Sequence, residues 1–172
     1  MVALAPDVKL LFNNAGVFAF GDILSASWDE VEANLSVNYL GTLRVARAFA
    51  PVIERNGGGV IVNMLSLVAL ASMLGLSVYN ASKAAAWSMT QSLRASLSDR
   101  NIRVHRVFPG AIDTEMLADA DMEKASPIDV AKATLDGVVE GREDIFPDAM
   151  STSLYAAWVK DHKAVEQQFA NM

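Results

Sequence analysis

Cysteine is absent from these 172 residues, which excludes disulfides and thiolate-bound metal and by itself leaves the compartment open. Histidine is scarce. His105 alternates within a strand-like stretch and His162 lies in a late helical one, so both are expected to be structural, and no metal site is expected. Basic residues are outnumbered, 14 Lys and Arg against 20 Asp and Glu for a formal net charge of −6. No Lys or Arg run offers a phosphate-tracking patch, so nucleic acid is not an expected partner. Charge of either sign is missing from Asn56 to Ser82, a stretch long enough to span a bilayer. It opens on Gly57, Gly58 and Gly59 and holds Asn63, Ser66, Ser72, Ser77 and Asn80. A buried strand followed by a loop accounts for it better than a membrane span. The start, MVALAPDVKLLF, has no basic region ahead of a long apolar run. It does not read as a signal peptide, and a cytoplasmic location is expected.

What is present is a core. Apolar residues make up 52% and charged residues 20%, a composition suited to a buried sheet in one domain over residues 1–172, with some surface covered by a partner. VKLLFN (8–13) reads as a buried strand ending at the turn signal NNAG. SWDE (27–30) is a capping box that starts a helix running to Arg55. The glycine triplet ends that helix, and VIVNML (60–65) is a second strand, apolar on both faces as in parallel sheets. A helix over 77–98, a strand IRVHRVFPG (102–110) and a helix from Ser126 as N-cap to about Gly141 follow. EDIF (143–146) is a fourth short strand, and the tail from Ser151 spaces Leu154, Trp158, Val165 and Phe169 helically. The alternation predicts an α/β fold with about four parallel strands and helices on both faces. Function then belongs beyond the carboxyl ends of the strands.

Four polar features converge on that rim. In SVYNASKAAAWS (77–88), Tyr79 and Lys83 stand one helical turn apart on one face, among small uncharged neighbours. Ser66 lies just past the second strand. Asn38 falls mid-helix in SVNYLGT, where asparagine is a poor helix former. Pro109 and Gly110 close the third strand. Taken alone, each has a bland reading: an ordinary loop serine, an asparagine capping a kink beside Gly41, a simple turn at NNAG. A free tyrosine, with a pKa of about 10, is a poor base near neutrality, and a nearby ammonium favours the phenolate.

Together these residues resemble a short-chain dehydrogenase/reductase of the compact, single-domain type. The matching elements are NNAG (13–16), VNYLG (37–41), Ser66, YNASK (79–83) and PGAIDT (109–114), with Ser66 thirteen residues before Tyr79. The resemblance implies a partial, doubly wound Rossmann-like sheet, hydroxyl–carbonyl interconversion on a small-molecule substrate, and NAD or NADP as cofactor. It assigns Asn38, Ser66, Tyr79 and Lys83 to catalysis, with Asn38 anchoring a water that links Lys83 to solvent. It assigns Asn14, Ala15, Gly16, Tyr79, Lys83, Pro109, Gly110, Ile112 and Thr114 to the nicotinamide and its ribose. It also implies a homo-oligomer, paired through the helices at 28–55 and 77–98. Ala81, Ala84, Ala85 and Ala86 would permit close packing there, and VKLLFN would otherwise be a bare sheet edge.

One element of the family pattern is missing. Members open with a strand, a glycine-rich turn and a helix before reaching NNAG, whereas NNAG stands here at residue 13. The glycine cluster at 57–59 precedes a strand instead of following one, so it cannot cradle a pyrophosphate. Cofactor binding is therefore expected to be weak or lost. The readings left open are a truncated product or piece of a longer enzyme, an esterase with Ser66 as nucleophile and Tyr79 with Lys83 as its base, and an idle scaffold.

Overall fold

A computed structural model describes residues 5–171; Met1–Leu4, part of the start discussed above, and Met172 lie outside the described residues. Four strands, β1 (Leu10–Asn13), β2 (Gly59–Met64), β3 (Ile102–Val107) and β4 (Asp144–Ile145), form one parallel sheet in the order β1-β2-β3-β4. β1, β3 and β4 fall inside the predicted segments, and β2 is displaced by one residue, from 60–65 to Gly59–Met64. β3 stops short of its predicted end because Pro109 has no N–H for the ladder.

The rod from Trp28 to Arg55 is not one regular helix. It is α-helical over Trp28–Asn34 (α1), widens to a π-helix over Leu35–Gly41, and resumes as α2 (Thr42–Arg55). The capping box forms as predicted: the Glu30 N–H donates to Ser27 Oγ, and the Ser27 N–H donates to the Glu30 carboxylate. α3 (Ser77–Leu97) packs beside α2 on one face of the sheet, where Phe49, Ile53, Ile61, Leu97 and Val104 make one buried cluster. α4 (Pro127–Val139) covers the other face, joining Val138 to Val62, Val107 and Ile145. Ser126 occupies its N-cap position, but its side chain makes no capping bond.

The tail forms two helices, α5 (Ala149–Lys160) and α6 (His162–Ala170), broken at Asp161. Asp148 and Asp161 each cap the helix that follows. The glycine triplet serves the backbone. Gly57 and Gly58 have positive φ, and a Cβ on Gly58 or Gly59 would collide with the carbonyl of Asn101 or Lys9. Leu10 and Phe12 pair with Val60 and Val62 and share their face of the sheet, yet are 46% and 38% exposed. β1 is therefore an edge with uncovered apolar side chains.

Candidate active site

Ser66 follows β2 in extended backbone and opens a short 3-10 turn over Leu67–Ala69, its Oγ accepting the Val68 N–H at 3.4 Å. The Leu67 N–H donates to Pro109 O at 3.0 Å, so the loops after β2 and β3 are joined at the sheet rim.

Tyr79 stands in the first turn of α3. Its ring meets Phe18 edge-on at 5.0 Å and, together with Met73, Leu76, Leu154 and Trp158, packs against the buried cluster of Val68, Ala71, Val165 and Phe169; Leu154 and Trp158 come from α5. Burial in this apolar shell pushes the phenol up to about 12, against an opposing pull from the Ser66 hydroxyl. Lys83 is 4% exposed, with Nζ 5.5 Å from the Tyr79 ring centre and donating to Met64 O at 3.0 Å. Burial lowers its pKa to about 8. Lys83 was expected to draw the phenol toward ionisation. In this structure burial sets the direction instead, and the Tyr79 phenol stays protonated near neutrality.

The π-helical widening centres on Asn38. Its Oδ1 accepts the Val17 N–H and its Nδ2 donates to Val17 O, both at 2.9 Å. The same Nδ2 lies 2.9 Å from Ser82 Oγ, and the Ser82 hydroxyl donates to Tyr79 O at 2.7 Å. One buried amide thus joins the loop after β1 to the helix that carries Tyr79. A Cβ on Gly16 would stand 3.3 Å from Asn38 Oδ1 and 3.6 Å from Lys83 Nζ, so the NNAG backbone passes directly over the lysine.

The structure thus brings Gly16, Asn38, Ser66, Tyr79 and Lys83 together. Asn14 and Ala15 are exposed just ahead of Gly16. Pro109 is buried against the Ser66 loop, and the Gly110 N–H donates to Asp148 Oδ2 at 2.9 Å. Ile112 bridges to Ala125, while Thr114 is exposed and its hydroxyl turns to Ile112 O. His105 is buried with Nδ1 2.6 Å from Arg142 O, and burial depresses its pKa. The His162 ring lies tilted against Trp158, with ring centres 6.3 Å apart, and no metal-binding group of three side chains occurs among the described residues.

Several contributors were not legible in the sequence. Ser82, from the SK of YNASK, is one. Another is the chain from Asn13 to Asn63 to Thr90, which links β1, β2 and α3 at 2.8 and 2.9 Å. Asp148 is a third. The Asn of NNAG and of VIVNML was the available signal for the second. Asp148 had only its helix-capping position. Two open concavities, of about 740 Å³ between α2 and α3 and about 400 Å³ beside the 68–72 segment, are lined by none of Ser66, Tyr79 and Lys83.

Comparison with known proteins agrees with this geometry. The model of the family described as short chain dehydrogenase matches residues 1–125. An uncharacterized oxidoreductase of Staphylococcus saprophyticus is 32% identical over 131 residues, 74% of this chain and 56% of its own length. One of Thermotoga maritima is 35% identical over 120 residues, 70% of this chain and 47% of its own. The chain therefore spans about half the length of these relatives. A short chain dehydrogenase from Burkholderia cenocepacia, solved in complex with NADP, superposes with a TM-score of 0.92 at 35% identity, covering 98% of this chain and 71% of that one. A short chain dehydrogenase/reductase from Burkholderia phymatum, solved with NAD, gives 0.83 at 25% identity over 97% of this chain and 69% of that one. Family match, parallel sheet and rim residues agree: the chain belongs to the short-chain dehydrogenase family.

Proposed function

We propose that this site interconverts a carbonyl and a hydroxyl, with Tyr79 as the group that exchanges the proton. The observation that carries the reading is the half-buried Tyr79 phenol, kept neutral by its apolar surroundings beside Ser66 and the Lys83 ammonium. In the reductive direction the Tyr79 hydroxyl donates its proton to the substrate oxygen, which Ser66 holds by a hydrogen bond from its own hydroxyl. Lys83, anchored on Met64 O, places positive charge beside the phenolate that remains. In the oxidative direction the proton returns to the Tyr79 phenolate, which the raised pKa makes scarce near neutrality, so reduction is the direction this site suits better.

A nicotinamide cofactor, NAD or NADP, supplies or accepts the hydride when bound. Gly16 puts no side chain beside Asn38 Oδ1 and Lys83 Nζ, where a Cβ would crowd the amide, and this leaves room at this end of the site for a ribose and nicotinamide. Asn14, Ala15, Gly16, Tyr79, Lys83, Pro109, Gly110, Ile112 and Thr114 would hold them. The phosphate end does not fit in the same way, because Gly58 and Gly59 are packed against backbone and open no helix. Weak dinucleotide binding belongs to the proposal.

The esterase reading needs Tyr79 as a base toward Ser66, and a phenol pushed up to about 12 is poorly suited to that task. Carbonyl reduction with added NADPH and hydrolysis of a nitrophenyl ester decide between the two. Tyr79→Phe is expected to lower reduction by ~10²–10⁴-fold, with Ser66→Ala milder. Ester hydrolysis abolished by Ser66→Ala, with Ser66 labelled by a serine-directed phosphonate, would reverse the assignment.

A further inference from the structure

Apolar side chains from three separated parts of the chain gather around the half-buried Tyr79. Phe18 contacts its ring, and Phe20 packs edge-on to Phe18 at 4.5 Å while remaining 69% exposed. The Gly21 N–H donates to Gly75 O at 2.7 Å, which fixes Phe20 beside the segment bearing Leu74, itself 62% exposed. Met73 and Leu76 from that segment, with Leu154 and Trp158 from α5, pack on the same buried cluster as Tyr79, that of Val68, Ala71, Val165 and Phe169.

Charge is missing from two of these three segments, while the α5 side ends in Lys160 and Asp161. There is none from Asn14 to Gly21 and none from Asn56 to Ser82. Asp22, the one charged side chain between Asn14 and Ser27, accepts the Leu24 N–H at 2.8 Å and is committed to its own turn. Lys83 is held on Met64 O beneath Gly16. A carboxylate or phosphate on the substrate would lose its water here without gaining a dedicated partner.

We infer that the substrate is a neutral ketone, aldehyde or alcohol with a bulky apolar substituent, bound with that substituent against Phe18 and Phe20. This inference deepens the proposed carbonyl–hydroxyl reading and rests on it. An apolar ring lying on the Phe18–Phe20 pair extends the edge-to-face ladder that already ends on Tyr79, which brings the substrate oxygen to the phenol. Phe18 and Phe20 then act as specificity residues.

Calorimetric titration of the purified chain with acetophenone, 2-acetylnaphthalene and 4-acetylbenzoate, with and without NADPH, tests this directly. Affinity should rise from acetophenone to the naphthyl ketone and fall at least tenfold for the carboxylate. Phe20→Ala, at an exposed position where folding is not at stake, should weaken naphthyl ketone binding about tenfold, and Phe18→Ala should do so at least equally. Phe20→Leu should retain most of the affinity. Equal binding of 4-acetylbenzoate, no ketone binding at all, or binding indifferent to Phe20→Ala would each overturn the inference. If Phe20→Ala instead splits an oligomer and leaves ketone binding intact, the patch belongs to a second copy and the inference fails. Binding needs no hydride transfer. Ketone binding without turnover therefore sinks the oxidoreductase reading alone, whereas turnover that favours 4-acetylbenzoate sinks this inference alone.

Discussion

The Asn38 carboxamide holds both backbone polar groups of Val17, accepting its N–H and donating to its C=O at 2.9 Å each. A side chain on a π-helical turn thereby acts as a strand-like partner for the loop after β1. Such widened turns recur at functional sites because they shift a side chain off the regular helical ladder. Asn38→Ala would strip both Val17 groups and Ser82 of their partner. A loss of roughly 2–4 kcal/mol in urea unfolding is expected, and a loss under about 1 kcal/mol would mean that the loop is anchored elsewhere.

Dinucleotide affinity is the second expectation. Fluorescence titration with NADH and NADPH should give dissociation constants weaker than micromolar, because the ribose and nicotinamide end is built and a helix N-terminus for the pyrophosphate is not among the described glycine turns. Micromolar or tighter binding of either nucleotide would contradict this.

Stability should respond to pH through Lys83. Its pKa is lowered from 10.5 to about 8, so the unfolded chain binds the extra proton between those values. Folding stability should therefore rise with pH from about 8 toward 10.5, by at most about 1.4 kcal/mol per pH unit. Tyr79 works the other way: its pKa is raised from 10.0 to about 12, so stability falls across that interval. Denaturant midpoints between pH 7 and 10 should climb in the natural chain and stay flatter in Lys83→Met. Identical profiles for the two proteins would refute the assignment.

Asp148 divides its carboxylate between two tasks. Oδ1 accepts the Ser151 N–H and caps α5, while Oδ2 accepts the Gly110 N–H of the loop joined to Ser66 through Pro109 and Leu67. Asp148→Ser keeps a cap for α5 but has no second oxygen for Gly110. Amide exchange at Gly110 should accelerate in Asp148→Ser as in Asp148→Ala, although only the latter loses the cap. Protection retained in the serine variant would reduce Asp148 to a helix cap.

The uncovered Leu10 and Phe12 on edge strand β1, with the groove of about 740 Å³ between α2 and α3 that Leu43, Ala46, Ala85 and Met89 help to line, favour self-association. Light scattering should show a mass above that of one chain. A monomeric mass across a wide concentration range would count decisively against this.

The sequence by itself determined the alternation of strands and helices, because apolar runs, the SWDE capping box and glycine or proline stops act over a few neighbouring residues. It also placed Tyr79 and Lys83 one turn apart, a consequence of helical geometry alone. Only the tertiary structure decided that the Trp28–Arg55 rod widens at Asn38, because its amide partner Val17 lies 21 positions away and comes near only when β1 joins the sheet. The same holds for Asn63 and Thr90, and for Gly110 and Asp148, pairs separated by 27 and 38 positions. Proton affinities were likewise beyond local reading. The spacing of Tyr79 and Lys83 suggests a lowered phenol pKa, but α5, α6 and the 68–76 segment close an apolar shell around it, and the loss of water decides the direction.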